Sequence, residues 1–149
     1  MADIALIEQT GFGLASVIAH GGAAFDIDGL WPVAPGQWLA YADVASPDWA
    51  ERLADGLAGR ATVIDQSSAY VLWLVIGTDA QRLLQKGLPV DLTTLVPGAA
   101  VVSVIAHIGV IVHCPAPDHY HLAVFRSFAH SFRDWLQAGV AALQEDTHA

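Results

Sequence analysis

Positive charge is scarce in this sequence. Its 149 residues include 6 Lys and Arg against 15 Asp and Glu, which leaves a formal net charge of −9. The few basic residues form no cluster. Proteins that bind nucleic acid or anionic lipid draw much of their affinity from clustered Lys and Arg. The sequence therefore predicts no nucleic-acid partner and no membrane partner.

Cysteine is nearly absent as well. The single Cys114 cannot form an internal disulfide or a multi-cysteine metal site, and it fits the reducing cytoplasm. The N-terminus, MADIALIEQTGFGLAS, has acids in place of a basic segment, so no secretory signal is predicted. The one long uncharged stretch, residues 93–117, is interrupted by Pro, Gly and His and is rich in β-branched residues. This pattern favours two adjacent buried strands over a membrane-spanning helix.

Motifs for catalysis and for cofactor binding are also missing. The sequence contains no G-x-G-x-x-G, no G-K-[ST] phosphate loop and no G-x-S-x-G elbow. The hexapeptide DQSSAY places Asp65 two residues before Ser67. A nucleophilic serine needs a nearby base, and no histidine accompanies this pair. We interpret the stretch as a polar turn before a buried strand and predict no catalytic residue.

Histidines flank the turn CPAPD. His119 and His121 share one face of a predicted strand, and a hairpin could bring Cys114 or His113 opposite them. Imidazole and thiolate groups are ligands of zinc and copper. An isolated H-x-H arises readily by chance, so we assign no metal site. A histidine-based metal-binding protein is kept as an alternative function.

Apolar residues are abundant instead. They make up 54% of the chain, only 14% is charged and the mean hydropathy is +0.46. Such a composition predicts strands buried on two faces or apolar surface covered by a partner. Periodicity and end signals predict strands within 37–41, 60–77, 101–113 and 120–126, and helices over 46–59, 79–87 and 127–143. We expect an α+β fold, a mostly antiparallel sheet with helices packed on one face, in a single domain 1–149.

Three stretches resemble known families. Residues 64–92, IDQSSAYVLWLVIGTDAQRLLQKGLPVDL, resemble the folate-binding domain of the glycine-cleavage T-protein superfamily, with a D-x-S turn, an apolar strand and a G-x-D-A helix start. Residues 101–136, with their hairpin, R-S-F-A step and aromatic helix ending in W-L, resemble the gamma subunit of heterotetrameric sarcosine oxidase. PGQWLAYAD at 35–43 is similar to the P-x-x-W-L strand of the same family.

The resemblance implies a non-catalytic structural subunit of a flavin-dependent sarcosine oxidase. In that family the complex demethylates sarcosine oxidatively to glycine and passes the one-carbon unit to tetrahydrofolate. FAD, FMN, NAD, tetrahydrofolate and zinc are then expected in the alpha, beta and delta partner subunits, and no cofactor is expected in this chain. The resemblance also implies a shortened fold near the N-terminus, because residues 20–31 replace a longer helical insert.

The T-protein-like turn supplies the candidate cofactor site. By resemblance, Asp65, Ser67 and Ser68 are candidate residues of a folate-like site. They motivate a second alternative function, a free-standing folate or one-carbon-binding domain.

Aromatic residues supply the candidate interface. Trp, Phe and Arg side chains anchor many protein interfaces. On this basis the predicted contacts with partner subunits are Trp38, Arg126, Phe128, Phe132 and Trp135.

Overall fold

The computed structural model describes residues 2–25 and 27–148, and this part of the chain forms nine strands and three α-helices. The strands are β1 (Ala5–Gln9), β2 (Gly13–Ala19), β3 (Leu30–Ala34), β4 (Gln37–Ala42), β5 (Ala61–Asp65), β6 (Tyr70–Ile76), β7 (Ala100–Ile105), β8 (Ile108–Ala116) and β9 (His119–Phe125). The helices are α1 (Trp49–Gly56), α2 (Ala80–Gln85) and α3 (Ala129–His148), and short 3₁₀ turns occupy Leu92–Thr94 and Arg126–Phe128.

The strands divide between two sheets. One sheet has the order β1-β6-β9-β8-β7 and the other the order β3-β4-β2-β5. The register pairs β1 with β6, β2 with β4 and β5, β3 with β4, and β8 with β7 and β9, all antiparallel. The α+β class with antiparallel pairing is thus confirmed, although two sheets stand where one was expected.

The chain divides into two compact units that follow the sheets. One unit contains Met1–Gln9 and Val71–Ala149, and the other contains Thr10–Tyr70. Whether the two units fold together as the single domain predicted over 1–149 stays a prediction.

The core of the five-stranded unit lies between the sheet and the helices α2 and α3. Leu83 and Leu84 of α2 are fully buried, and Phe132 and Leu136 of α3 join the same apolar cluster. Gly139 allows α3 to approach α2 closely, because a Cβ at this position would overlap the side chain of Leu83. One face of the sheet is therefore covered by helices, in agreement with the predicted arrangement.

The four-stranded unit has a smaller core under α1. Ala15 and Val17 of β2 and Leu57 at the end of α1 are buried there. Trp49, the first residue of α1, packs against this cluster. A Cβ at Gly13 would lie 2.5 Å from the Trp49 ring, so the glycine makes room for the indole.

Two helix starts differ in detail from the sequence prediction. A helix was predicted from residue 46, but α1 begins at Trp49, and the Ser46 hydroxyl donates a hydrogen bond to Asp48 Oδ1 over 2.8 Å. Helix α2 begins after Asp79 as predicted, yet the Asp79 carboxylate makes no cap within the helix. It accepts instead from the backbone N–H of Asp3 at 2.8 Å, because the segment before β1 lies within reach.

The uncharged stretch of residues 93–117 contains the β7–β8 hairpin. Two adjacent strands were predicted there, and they are confirmed. Across the residues described, the structure contains no helix with the length and apolar character that crossing a membrane requires.

Candidate functional site

The DQSS segment forms a tight polar turn between β5 and β6. The backbone N–H and the hydroxyl of Ser67 both donate to Asp65 Oδ1, at 2.9 and 2.7 Å. The Ser67 oxygen in turn accepts from the backbone N–H of Leu14 at 3.0 Å, which ties the turn to the start of β2. The interpretation of DQSSAY as a polar turn with locally satisfied hydroxyls is confirmed at Ser67.

These contacts bear on the predicted folate-like site. Asp65 and Ser67 already use their oxygen atoms to hold the turn together, and Ser68 also interacts within the protein. Displacing such bonds would expose polar groups that the fold has satisfied. The cofactor-binding role of Asp65, Ser67 and Ser68 stays a prediction.

A pair of histidines lies in the hairpin between β8 and β9. The register places His113 directly opposite His121, and their Nδ1 atoms are 3.2 Å apart. The two rings are nearly parallel, with an angle of 11° and 5.5 Å between centroids, and His121 is 6% exposed. A hydrogen bond between two Nδ1 atoms requires one donor and one acceptor, so the neutral rings adopt different tautomers.

Burial makes this pair unfavourable for positive charge. It lowers the pKa of His113 from 6.5 to about 4, with a further contribution from the charge of His121. An imidazolium at His113 would lose its hydration and face a second imidazole across the strand pair. His113 is therefore neutral at physiological pH.

The structure does not bring His119, His121 and Cys114 together as metal ligands. His119 Nδ1 lies 2.8 Å from the carbonyl oxygen of Pro117, to which it donates. The Cys114 thiol is buried in the core and donates to the carbonyl of Ala116, and burial raises its pKa. Over residues 2–25 and 27–148, no three His, Cys, Asp or Glu side chains are arranged to hold a metal ion.

The predicted interface residues have different surroundings. Phe132 is fully buried in the core, and its interface role stays a prediction. Trp135 is partly buried beside it, with ring centroids 6.4 Å apart. The Trp135 ring packs against Gly87, where a Cβ would overlap it. Trp38 is half-buried and meets Phe25 edge to face at 5.4 Å.

Only the segment after β9 presents its predicted residues to solvent. Arg126 is exposed, and Phe128 has 44% of its surface exposed. Neighbouring Phe125, which was not predicted, is 50% exposed. Exposed aromatic and Arg side chains are enriched at protein interfaces, so this segment suits a protein contact. The sequence does hold a sign that Phe125 is exposed, because this residue ends the alternating pattern of β9 just before the polar Arg126 and Ser127.

A second exposed apolar region was missed by sequence reasoning. Val102 and Val104 of β7 are 57% and 46% exposed, although the strand was expected to be buried. The strand lies at the edge of its sheet. Sequence alone does not reveal which apolar strand takes the edge position.

Fold and surface together define a class of protein. This is an α+β chain with two antiparallel sheets and with several large apolar side chains exposed on its described surface. Residues 4–142 match the family described as the sarcosine oxidase gamma subunit family. The chain belongs to this family, as the sequence resemblance predicted.

A solved structure supports the fold. A chain of the heterotetrameric sarcosine oxidase from Corynebacterium sp. U-96, in complex with pyrrole 2-carboxylate, superposes with a TM-score of 0.81. The match covers 93% of this chain and 84% of that one at 19% identity. Likeness at this level of identity establishes a shared fold. No protein of curated function matches the sequence at a significant level.

Proposed function

We propose that this chain is a non-catalytic assembly subunit of a flavin-dependent, heterotetrameric sarcosine oxidase, with alpha, beta and delta subunits as its partners. The observation that carries the proposal is the family match over residues 4–142. The fold shared with a chain of a heterotetrameric sarcosine oxidase supports it. The complex would demethylate sarcosine oxidatively to glycine and pass the one-carbon unit to tetrahydrofolate.

The partner subunits would hold the cofactors. FAD, FMN, NAD, tetrahydrofolate and zinc belong to the alpha, beta and delta chains in this proposal. A cytoplasmic location is part of it, because the lone Cys114 is a free thiol in the structure and such thiols persist in a reducing compartment.

Exposed apolar surface supports the assembly role. Large apolar side chains on the surface of a subunit are commonly covered by its partners. The more exposed ones are Ile7, Ile18, Ile27, Val44, Ile64, Val96, Val102, Val104, Phe125 and Phe128. By contrast, the free-standing folate-binding alternative is not favoured, since Asp65 and Ser67 are engaged with each other and with Leu14.

Co-purification tests the proposal. This chain carries an affinity tag and is co-expressed with alpha, beta and delta subunits, and native mass spectrometry measures what the tag retains. We expect one copy of each subunit in a complex that oxidises sarcosine. Recovery of the tagged chain alone, with an active complex of the other three in the flow-through, would refute it.

A titration tests the folate alternative separately. The isolated chain is titrated with tetrahydrofolate by calorimetry, beside an Asp65→Ala variant as the matched control. We expect no binding by either protein. Saturable heat that disappears in the variant would establish a folate site at the turn.

A further inference from the structure

The β7 edge, Ala100–Ile105, is the outer strand of the five-stranded sheet on one side. Its register with β8 runs from Ala100↔His113 to Ile105↔Ile108 without a shift. It is thus a regular, six-residue strand with a neighbour on one side.

Half of the backbone groups of this strand turn away from β8. The Cys114 N–H donates to the carbonyl of Ala99 at 3.0 Å, and residues of an antiparallel strand alternate between facing the partner and facing away. Ala100, Val102 and Val104 therefore direct their N–H and C=O groups outward. The hydrogen bonds found between residues of the described chain give these outward groups no partner.

The other three sheet edges each carry a feature that hinders strand addition. On β1, Glu8 forms an ion pair with Arg133 at 3.4 Å. Strand β3 contains Pro32 and a shift of register before Ala34. Strand β5 ends at Asp65, whose carboxylate holds the following turn. Charges, prolines and bulges are the usual devices that block an edge, and β7 has none of them.

The side chains of the β7 edge are apolar except for the half-buried Ser103, which shares a face with Val101 and Ile105. Val101 and Ile105 point to the core, while Val102 and Val104 are exposed. A strand added beside β7 would find a hydrogen-bonding backbone and an apolar neighbour on the exposed face. Backbone bonds supply affinity in such an addition, and alternate side chains supply specificity.

We infer that the β7 edge receives an extended segment of a partner subunit, which adds to the sheet as a further strand and carries apolar residues at alternate positions. This inference rests on the proposed function. A second copy of this chain is a poorer occupant, because each copy carries a net charge of −9 and like charges oppose association.

The Val102→Pro variant tests the inference. Proline removes an N–H that the isolated chain does not use, so the fold tolerates it at an edge. Interferometry measures the dissociation constant of each variant of this chain for the complex of alpha, beta and delta subunits. We expect Val102→Pro to weaken binding roughly tenfold or more, because the variant loses one backbone hydrogen bond to the added strand and its ring clashes with that strand.

Two matched controls separate the edge from the exposed face. Val102→Ala shortens the same side chain but keeps the outward N–H, and we expect a loss of about threefold or less. Gly109→Lys adds a long charged side chain on β8, opposite Val104, where a Cβ meets open space. We expect this variant to bind like wild type. Thermal melting of each isolated variant checks folding, and Val104→Pro replaces Val102→Pro if the latter unfolds.

Each outcome decides the question. Wild-type affinity in a folded Val102→Pro variant would overturn the inference and leave the proposed function standing. An equal loss in Gly109→Lys would place the contact on the sheet face and overturn it too. Self-association of the wild-type chain that Val102→Pro abolishes would make a second copy the occupant. Failure of the wild-type chain to bind the complex would remove the proposed function together with the inference.

Discussion

The two edges of the five-stranded sheet are built in opposite ways. At β1, polar contacts fix the chain: Asp3 Oδ2 accepts from the backbone and the hydroxyl of Thr78 at 3.0 and 2.9 Å, and Asp79 accepts from the Asp3 N–H. At β7, the exposed side chains are Val102 and Val104, with open backbone groups between them. The chain before β1 is thus fixed by polar contacts and β1 itself carries the Glu8–Arg133 ion pair, whereas β7 presents apolar side chains that suit a partner.

The largest effect is expected at the β1 edge, from Gly77→Val. Gly77 has φ of 137°, and any Cβ there would overlap the backbone of Asp3. We expect a loss of about 3 kcal/mol or more in the free energy of unfolding, measured by urea denaturation. Gly109→Val is the control, because its Cβ would meet nothing within 4 Å. Equal stability of the two variants would contradict the close approach of Gly77 to the backbone of Asp3.

A smaller effect is expected from acid, at the histidine pair between the edges. The pKa of His113 is about 4 in the folded chain and near 6.5 when unfolded, so the unfolded state binds more protons between these values. The contribution of neutral His113 to the free energy of unfolding is therefore fully present above pH 6.5 and is lost as the pH drops towards 4. We expect the melting temperature of wild type to fall by several degrees over this range.

His113→Gln is the matched variant for this pH dependence. It keeps a polar side chain beside His121 but removes the group that titrates. We expect a flatter profile of melting temperature between pH 6.5 and 4. The same slope in both proteins would show that His113 is not the source.

A further effect of a few degrees is expected from Asp3→Ala at the β1 edge. The variant loses both hydrogen bonds from Thr78, which also lower the pKa of the Asp3 carboxyl. We expect the melting temperature at pH 7 to fall by about 2 to 5 °C. Because the carboxylate form makes these bonds, the difference between the two proteins should vanish once acid protonates Asp3. A difference of the same size across the whole acid titration would contradict this reason.

The smallest effect is expected at the β7 edge, from Val102→Lys in the isolated chain. With 57% of Val102 exposed, the lysine side chain extends into solvent. We expect a change within about 0.5 kcal/mol in the free energy of unfolding, measured by urea denaturation. Val110→Lys, at a position 2% exposed on the next strand, should unfold the chain. A loss of several kcal/mol at Val102 would mean that the edge is covered within the chain itself.

The order of many elements could be predicted from the sequence, but the strand partners could not. The break at DQSS, the hairpin after β7 and the helix over 127–143 follow from local patterns, and the structure confirms them. Strand β1 joins β6, and β2 joins β4 and β5, across long separations in the chain. Local periodicity carries no information on such pairing, so the division into two sheets was not foreseen.

The same limit applies to the exposure of individual side chains, including those of the candidate interface. In the sequence, Val102 of β7 and Val112 of β8 occupy similar apolar runs, yet one is 57% exposed and the other is fully buried. Phe128 and Phe132 are four residues apart in the helix predicted over 127–143, yet Phe128 is 44% exposed and Phe132 is fully buried. Exposure depends on where a strand or helix end lies in the assembled fold, and composition does not report it.

Hydrogen exchange tests the contrast between the edges most directly. Amide exchange in this chain is compared before and after it joins the alpha, beta and delta subunits, at single-residue resolution. We expect slower exchange at Ala100, Val102 and Val104 in the complex and unchanged exchange along β1. Unchanged exchange at these three amides in a fully assembled complex would contradict it.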